Sequence, residues 1–248
     1  MRLGLLGGGR AAWAYGSAWR RIGWPIDGVW LRPVSQSTLP ELLGAPRKAI
    51  ADLRADLLLI AVSDRAIEEV AALIPPTDSI IFHASGAKPS LRDGFSLHPL
   101  KALPPVGEPS DLQDALLVFE GNHHDIAERI ASNVGARFAA VTREQKPRYH
   151  AAAVFGSNYV AALLDIAERN LGLGSTADAR DDLVRLAQSA IENWRTHRDA
   201  RRFTGPAARG DDEVIDGHLA ALAGDSQVAE IYKLLADEIR RTILASPK

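Results

Sequence analysis

Three glycines near the start of the chain, Gly7, Gly8 and Gly9, run into Arg10, Ala11 and Ala12. The spacing is G-x-G-x-x-A, and each fixed position has a physical task. Gly7 permits a tight turn, Gly9 lets the backbone approach a pyrophosphate, and the small Ala12 lets helix and strand pack closely. A helix beginning at Arg10 offers unpaired N–H groups and a partial positive charge to phosphates. An apolar strand precedes the cluster and a helix follows it, which is the context the motif requires. The residues therefore point to a dinucleotide. A site for NAD usually ends its second strand on an Asp or Glu that binds the ribose hydroxyls. Here that strand reads Gly28-Val29-Trp30-Leu31-Arg32-Pro33, without a carboxylate. Arg32 suits a 2′-phosphate, with Ser35 or Ser37 adding hydrogen bonds; a solvated loop arginine is the plainer reading. NADP is favoured as cofactor, with NAD as the alternative.

Further polar residues fall where later strands end, the edge at which ligands of doubly wound sheets bind. Ser63-Asp64 leaves an apolar strand and is placed either to touch cofactor or to cap a helix. Ser85 and Gly86 follow another strand and are small enough for a flat ring to lie against backbone. His98, held extended by Pro99, could move a proton near neutral pH; a histidine hydrogen-bonded at a strand end is the competing reading. In a helix beginning near Pro147, Lys146, His150 and Ser157 share one face at 100° per residue, with Asn158 on its flank. The run Ala151 to Phe155 implies burial, so these groups either satisfy one another across a domain interface or line a pocket; the pocket is favoured. His98, Lys146, His150 and Asn158 are thus the catalytic candidates. Gly7, Gly9, Arg10, Ala12, Arg32, Ser63, Ser85 and Gly86 are those for the cofactor, and Ser157, Thr204 and Arg209 those for an anionic or polar substrate. Asp211 reads as readily as a helix cap. His123-His124 lacks further ligands at metal spacing and is read as a surface pair, so no metal is expected.

The elements that must position these residues are legible. Apolar runs Leu3–Leu6, Ile26–Leu31, Leu57–Val62 and Ser79–His83 alternate with helical stretches Arg10–Ile22 and Asp64–Leu73. Phe95–His98, Ala115–Phe119 and Ala136–Val141 extend the pattern, with a helix near Asp125–Asn133. Such alternation predicts an α/β fold, a Rossmann-type doubly wound parallel sheet. After Gln145 strand signals stop. A long helix is expected from Pro147 to about Leu171, ended by Gly172-Leu173-Gly174, and a second capped by Ser175 or Thr176 with Asp178 in its first turn. A third follows from Asp211 to near Gly224, and a fourth from Asp225 or Ser226 to about Leu244. The expected domains are 1–145, binding dinucleotide, and 146–248, an all-α domain for substrate and dimerisation. At 248 residues, 46% apolar and 24% charged, the chain is long enough for both cores. A net charge of −2 gives no reason to expect nucleic acid. Without cysteine there is no thiolate chemistry or disulfide. The longest apolar run is too short for a membrane and no signal pattern is present, so the cytoplasm is expected.

Several stretches together resemble a known family of Rossmann-like proteins with a helical carboxyl-terminal domain of unknown function. They are Gly7–Ala12, His83–Ala87, Phe95–Leu100, Tyr149–Phe155, Ser157-Asn158-Tyr159, Thr204-Gly205-Pro206 and Arg209-Gly210-Asp211. That family is similar to NADP-dependent reductases such as pyrroline-carboxylate reductase, to 6-phosphogluconate and hydroxyacid dehydrogenases, and to prephenate dehydrogenase. The resemblance implies that His98-Pro99 corresponds to a His-Pro pair in the prephenate dehydrogenase active site. It implies that Lys146 and Asn158 echo a lysine and an asparagine of the hydroxyacid dehydrogenases, at different spacing. Leu31 and Pro33 beside Arg32, and Lys101 and Gly156, depart from the pattern. The expected activity is an NADP-dependent dehydrogenase or reductase acting on a small carbonyl, imine or alcohol, with a homodimer as the assembly. The alternative is a protein that binds NADP(H) as a sensor or scaffold without turnover.

Overall fold

The computed structural model describes residues 1–91, 93–108, 110–172 and 177–245. Two compact units emerge, Met1–Ser157 and Asn158–Lys248. In the first, among the described residues, seven strands form one sheet in the order β2-β1-β3-β4-β5-β6-β7. These are β1 (Leu3–Leu6), β2 (Ile26–Trp30), β3 (Leu57–Ile60), β4 (Ile80–His83), β5 (Phe95–Leu100), β6 (Leu116–Gly121) and β7 (Arg137–Ala140). The helices between them are α1 (Arg10–Arg21), α2 (Leu39–Leu43), α3 (Ile67–Ala72), α4 (His124–Asn133) and α5 (Lys146–Phe155).

Why the sheet is covered on both faces can be read in β3. Leu57 and Leu59 enter the cluster that holds Trp13, Tyr15 and Trp19 of α1 and Ile130 of α4. Leu58 and Ile60 point the other way, into the cluster of Ile67 and Val70 from α3. A strand apolar at every position thus feeds two cores through its alternation. The architecture is the expected Rossmann-type one: β1 through β5 pair in parallel. One pairing departs from it, since β5 and β6 are antiparallel while β6 and β7 are again parallel. No helix lies in the described residues of the 101–115 connection, and without a crossover helix the chain simply turns back on itself.

The second unit, among its described residues, is all helical: α6 (Asn158–Asn170), α7 (Ala177–Thr196), α8 (Pro206–Arg209), α9 (Asp212–Ala221) and α10 (Ser226–Leu244). Its best-defined core is small, Ala207, Ile215 and Ala236 with Leu219, Tyr232 and Ile239 packed around them. Asp225 caps α10 by accepting from the Val228 N–H at 3.1 Å. The capping expected of Ser175 or Thr176 lies outside the described residues, as do Leu173, Gly174 and the side chain of Asp178.

The single long helix expected from Pro147 to Leu171 is instead two, α5 and α6, broken at Gly156 and Ser157. Ser157 Oγ donates to the Ala153 carbonyl at 2.7 Å, and a hydroxyl bonded back into the preceding turn beside a glycine weakens the helical ladder. Ser157 therefore does not extend the face of Lys146 and His150. The expected burial of this segment is corrected too. Lys146 is the one buried residue of α5, while Ala151 and Ala152 are exposed and Phe155 is 67% exposed. A run of alanines carries too little apolar area to compel burial.

Candidate functional site

The chain leaves β1 to build α1 and β2 on one side, then crosses to β3 on the other. The carboxyl ends of β1 and β3 thus frame a switch point, where ligands of such sheets bind. A groove of about 560 Å³ opens there. It is lined by Gly7 to Ala11 after β1, Trp30, Leu31, Arg32 and Ser35 after β2, and Ala61, Val62 and Ser63 after β3. Of the residues proposed for a cofactor, Gly7, Gly9, Arg10, Arg32 and Ser63 line this groove. Ala12 is fully buried in the core beneath it.

The glycines differ in what demands them. Gly7 has φ +121°, and a Cβ there would lie 2.3 Å from the Ala61 carbonyl oxygen, so the fold itself requires it. Gly8 would collide with Ser37, whose hydroxyl donates to the Gly8 carbonyl at 3.1 Å. Gly9 has an ordinary extended backbone and caps α1, and its added Cβ would meet nothing nearer than Ala61 O at 3.9 Å. The first bond of α1 runs from Trp13 N to Gly9 O, so the amides before it face the groove without helical partners. No acidic residue stands in that first turn to neutralise them. Arg32, at the groove's other side, makes an exposed contact with Glu69 at 3.5 Å, weak enough to yield to a ligand.

Further along the sheet's carboxyl edge lies a second cluster. His83 pairs with Ser96, so His98 stands two residues beyond the end of β4, level with the turn that follows it. Its Nδ1 meets the Tyr149 hydroxyl of α5 at 2.6 Å, and the His150 ring stands edge-on with centroids 5.5 Å apart. Gly86 fills the space between: a Cβ on it would lie 2.4 Å from His150 Nδ1 and 3.0 Å from His98 Cδ2. His150 Nδ1 is buried with no hydrogen-bond partner among the described residues. Burial, then His150, then Lys146 push the His98 imidazole down to about 4, so the ring is neutral near pH 7. Burial raises the Tyr149 phenol, which keeps its proton. With the ring neutral and the phenol protonated, a phenol donating to Nδ1 leaves the ring proton on Nε2.

Other candidates have different surroundings. Ser85 Oγ accepts from the Ala87 and Lys88 N–H groups at 3.1 and 2.9 Å, shaping the loop that carries Gly86. That loop is also fixed by His83, whose Nε2 donates to Pro89 O at 3.0 Å while Nδ1 accepts from Ser85 N at 3.2 Å. Burial lowers the His83 imidazole, in keeping with this neutral tautomer. Lys146 is turned into the sheet, 2% exposed, donating to Ser96 Oγ, with Glu120 Oε2 at 3.7 Å. Burial lowers its ammonium and Glu120 opposes that shift. Asn158, Thr204 and Arg209 belong to the helical unit. Thr204 is exposed, and Arg209 is engaged with Asp211 at 2.8 Å. The structure thus gathers His98, His150 and Gly86, and separately Gly7, Gly9, Arg10, Arg32 and Ser63.

Tyr149, Glu120 and Ser96 escaped the sequence reading. Tyr149 was hidden by its neighbour His150, since a face counted from Lys146 through His150 passes one position beyond it. Glu120 left a signal, an acid in the otherwise apolar run Leu116-Leu117-Val118-Phe119. A buried strand tolerates such a residue only with a partner.

Fold and groove define a Rossmann-type α/β protein with a helical carboxyl-terminal unit. The chain belongs to the family described as domain of unknown function DUF2520, whose model matches residues 116–239. No curated protein matches it by sequence. Among solved structures it is similar to a Bacteroides fragilis protein described provisionally as an NADP oxidoreductase (22% identity, TM-score 0.82, covering 97% of this chain and 98% of that one). It is also similar to a reductive aminase from Aspergillus terreus, solved with NADPH4, cyclohexanone and allyl amine (17%, 0.65, 98% and 93%). A third is a prephenate dehydrogenase from A. aeolicus with NAD+ and hydroxyphenyl propionate (18%, 0.56, 97% and 97%). Among the described residues no helix is long and apolar enough to cross a membrane.

Two measurements check this geometry. Gly7→Ala is expected to destabilise the first unit by about 2 kcal/mol or more through strain and the Ala61 clash, whereas Gly9→Ala should stay within about 0.5 kcal/mol in denaturant titrations. His98 binds its proton more weakly folded than unfolded, so its contribution to stability is full above pH 6.5 and is lost as pH falls toward 4. His98→Gln should therefore flatten that acid limb, by about 1–3 kcal/mol between pH 7 and 4 relative to wild type.

Proposed function

We propose that this protein is an NADP-dependent oxidoreductase acting on a small carbonyl, imine or alcohol. The observation that carries the reading is Gly9. It is a glycine that the protein's own packing does not require, at the amino end of a helix and on the wall of an open groove. A diphosphate explains it, because only a bare Cα lets phosphate oxygens reach the amides at the start of α1. Arg32 and Ser35, from the segment after β2, suit a 2′-phosphate in the same groove. When bound, the cofactor supplies or accepts hydride at its nicotinamide ring.

The chain's own part is to bind, orient and manage a proton. His98, with Nδ1 held by Tyr149, keeps a proton on Nε2 as a neutral donor toward a substrate oxygen or nitrogen. The mutual contact of Gly86, His98 and His150 fixes the ring against rotation. His98 lies three strands from the glycine turn, roughly 14 Å along the sheet edge at the usual strand spacing. That separation fits a dinucleotide laid along the edge with its diphosphate on α1. The aminase and the dehydrogenase to which the chain is similar were solved with NADPH4 and with NAD+, which supports a nicotinamide cofactor and leaves Arg32 to favour NADP.

Self-association through the helical unit belongs to the same reading. That unit leaves Leu186, Trp194 and Leu234 more than half exposed beside the buried cluster of Ala207, Ile215 and Ala236. It also holds an apolar groove of about 370 Å³ lined by Leu163, Ile166, Leu222, Ile231 and Leu235. Sedimentation should give a mass twice that of one chain, and Leu234→Glu should halve it; a monomeric wild type would remove the dimer.

Titration with NADPH and NADH, followed by fluorescence of the groove residue Trp30, tests the cofactor. NADPH should bind the tighter. Arg32→Ser should cost NADPH about ten-fold or more in affinity and leave NADH unchanged. Gly9→Ala should weaken both, by about ten-fold. Absence of binding by either dinucleotide overturns the proposal. Binding without oxidation of NADPH across a panel of ketoacids, ketones and imines would instead indicate a sensor.

A further inference from the structure

Charge inside the first unit is concentrated in one place. Lys146 is 2% exposed and Glu120 4%, with Ser96 wholly buried between them. Burying two ions costs several kcal/mol each in lost hydration, and well-packed apolar residues of like volume would serve stability as well or better. The pair therefore calls for a purpose other than stability.

The connections of Glu120 show what it joins. Its carboxylate accepts from Ser90 N at 2.7 Å and Ser90 Oγ at 3.0 Å, so it grips the 84–91 loop. Ser96, its direct partner across the antiparallel β5–β6 pair, brings its hydroxyl within 3.4 Å of Oε2. The Lys146 ammonium reaches the same carboxylate from the first turn of α5 and donates to the same serine. One side chain on β6 thus ties together a loop, a strand and a helix.

Those three segments also supply the histidine cluster. Gly86 comes from the loop, His98 from β5, and Tyr149 and His150 from α5. Ser96 and His98 lie two residues apart on one strand face, and Lys146 and Tyr149 three apart on the helix. Ser96–Lys146 and His98–Tyr149 are consecutive rungs between β5 and α5.

We propose that Glu120 is a positioning residue, which holds Ser90, Ser96 and Lys146 so that Tyr149 meets His98 and His150 seats against Gly86. The inference rests on the proposed function for the claim that this cluster meets substrate, but the latch itself involves no dinucleotide.

The test follows the titration of His98 by NMR in the full chain with labelled histidine and no cofactor. His98 faces Tyr149, His150 and Lys146 from α5, and Asp64 from the turn after β3. Burial is the main reason its midpoint is low. Glu120→Gln leaves Lys146 without its counter-charge, the first turn of α5 lifts, and water reaches His98. The midpoint is expected to rise from about 4 by about one unit or more, toward the ordinary histidine value. Ser96→Ala, which removes one hydroxyl and keeps the charge pair, should move it in the same direction by less. A purely stabilising Glu120 would lower the melting temperature and leave the midpoint in place. An unchanged or lower midpoint in the folded variants overturns the inference, and Ser96→Ala decides the matter if Glu120→Gln does not fold. The readout needs no nucleotide, so a wild type that ignored NADPH would remove the proposed function and leave the latch standing.

Discussion

The constraint on which the groove depends is the close approach of the Gly7 backbone to the carbonyl of Ala61. Two neighbouring parallel strands end here, and the chain leaving one must pass directly over the last peptide of the other. With any side chain at Gly7 the turn would move outward, carrying the start of α1 with it. Trp13, Tyr15 and Trp19 would then lose their seat on the sheet. The groove is a by-product of the same contact. A helix that must begin this close to the sheet aims its first amides along the carboxyl edge, at the point where the topology leaves a gap.

At the other end of that edge the organising force is electrostatic. Protein interiors do not hold an isolated ammonium, so Lys146 can enter only with Glu120 and Ser96 prepared to receive it. The arrangement fixes geometry more than it lowers energy. Around it burial disfavours the charged forms of His83 and His98, and each has a ring nitrogen hydrogen-bonded to a named partner. A backbone-built groove and a side-chain-built histidine cluster thus stand on one sheet, made by different physics.

The glycine turn was legible in the sequence because it is local. Gly7, Gly9 and Ala12 are read within six residues, and the strand before and helix after them are strongly patterned. The strands were legible for the same reason, as was the start of α10 at Asp225 or Ser226. What could not be read depends on register across the sheet. Nothing in the run Leu116 to Gly121 says that it pairs antiparallel with β5, and so nothing says that Glu120 lies opposite Ser96. Tyr149 reaches His98 only once α5 is docked. The break at Ser157 turns on one hydroxyl choosing a carbonyl in the preceding turn over water, a competition too finely balanced for periodicity to settle.

The antiparallel step from β5 to β6 constrains how this chain can vary. Inserting or deleting one residue within β6 reverses which face each side chain takes. The carboxylate of Glu120 would then swing to the opposite side of the sheet, away from its lysine. The 101–115 connection, which carries no helix in its described part, can change length without that penalty. Insertions and deletions should therefore collect in the turn and be nearly forbidden in the six residues of β6 that follow it.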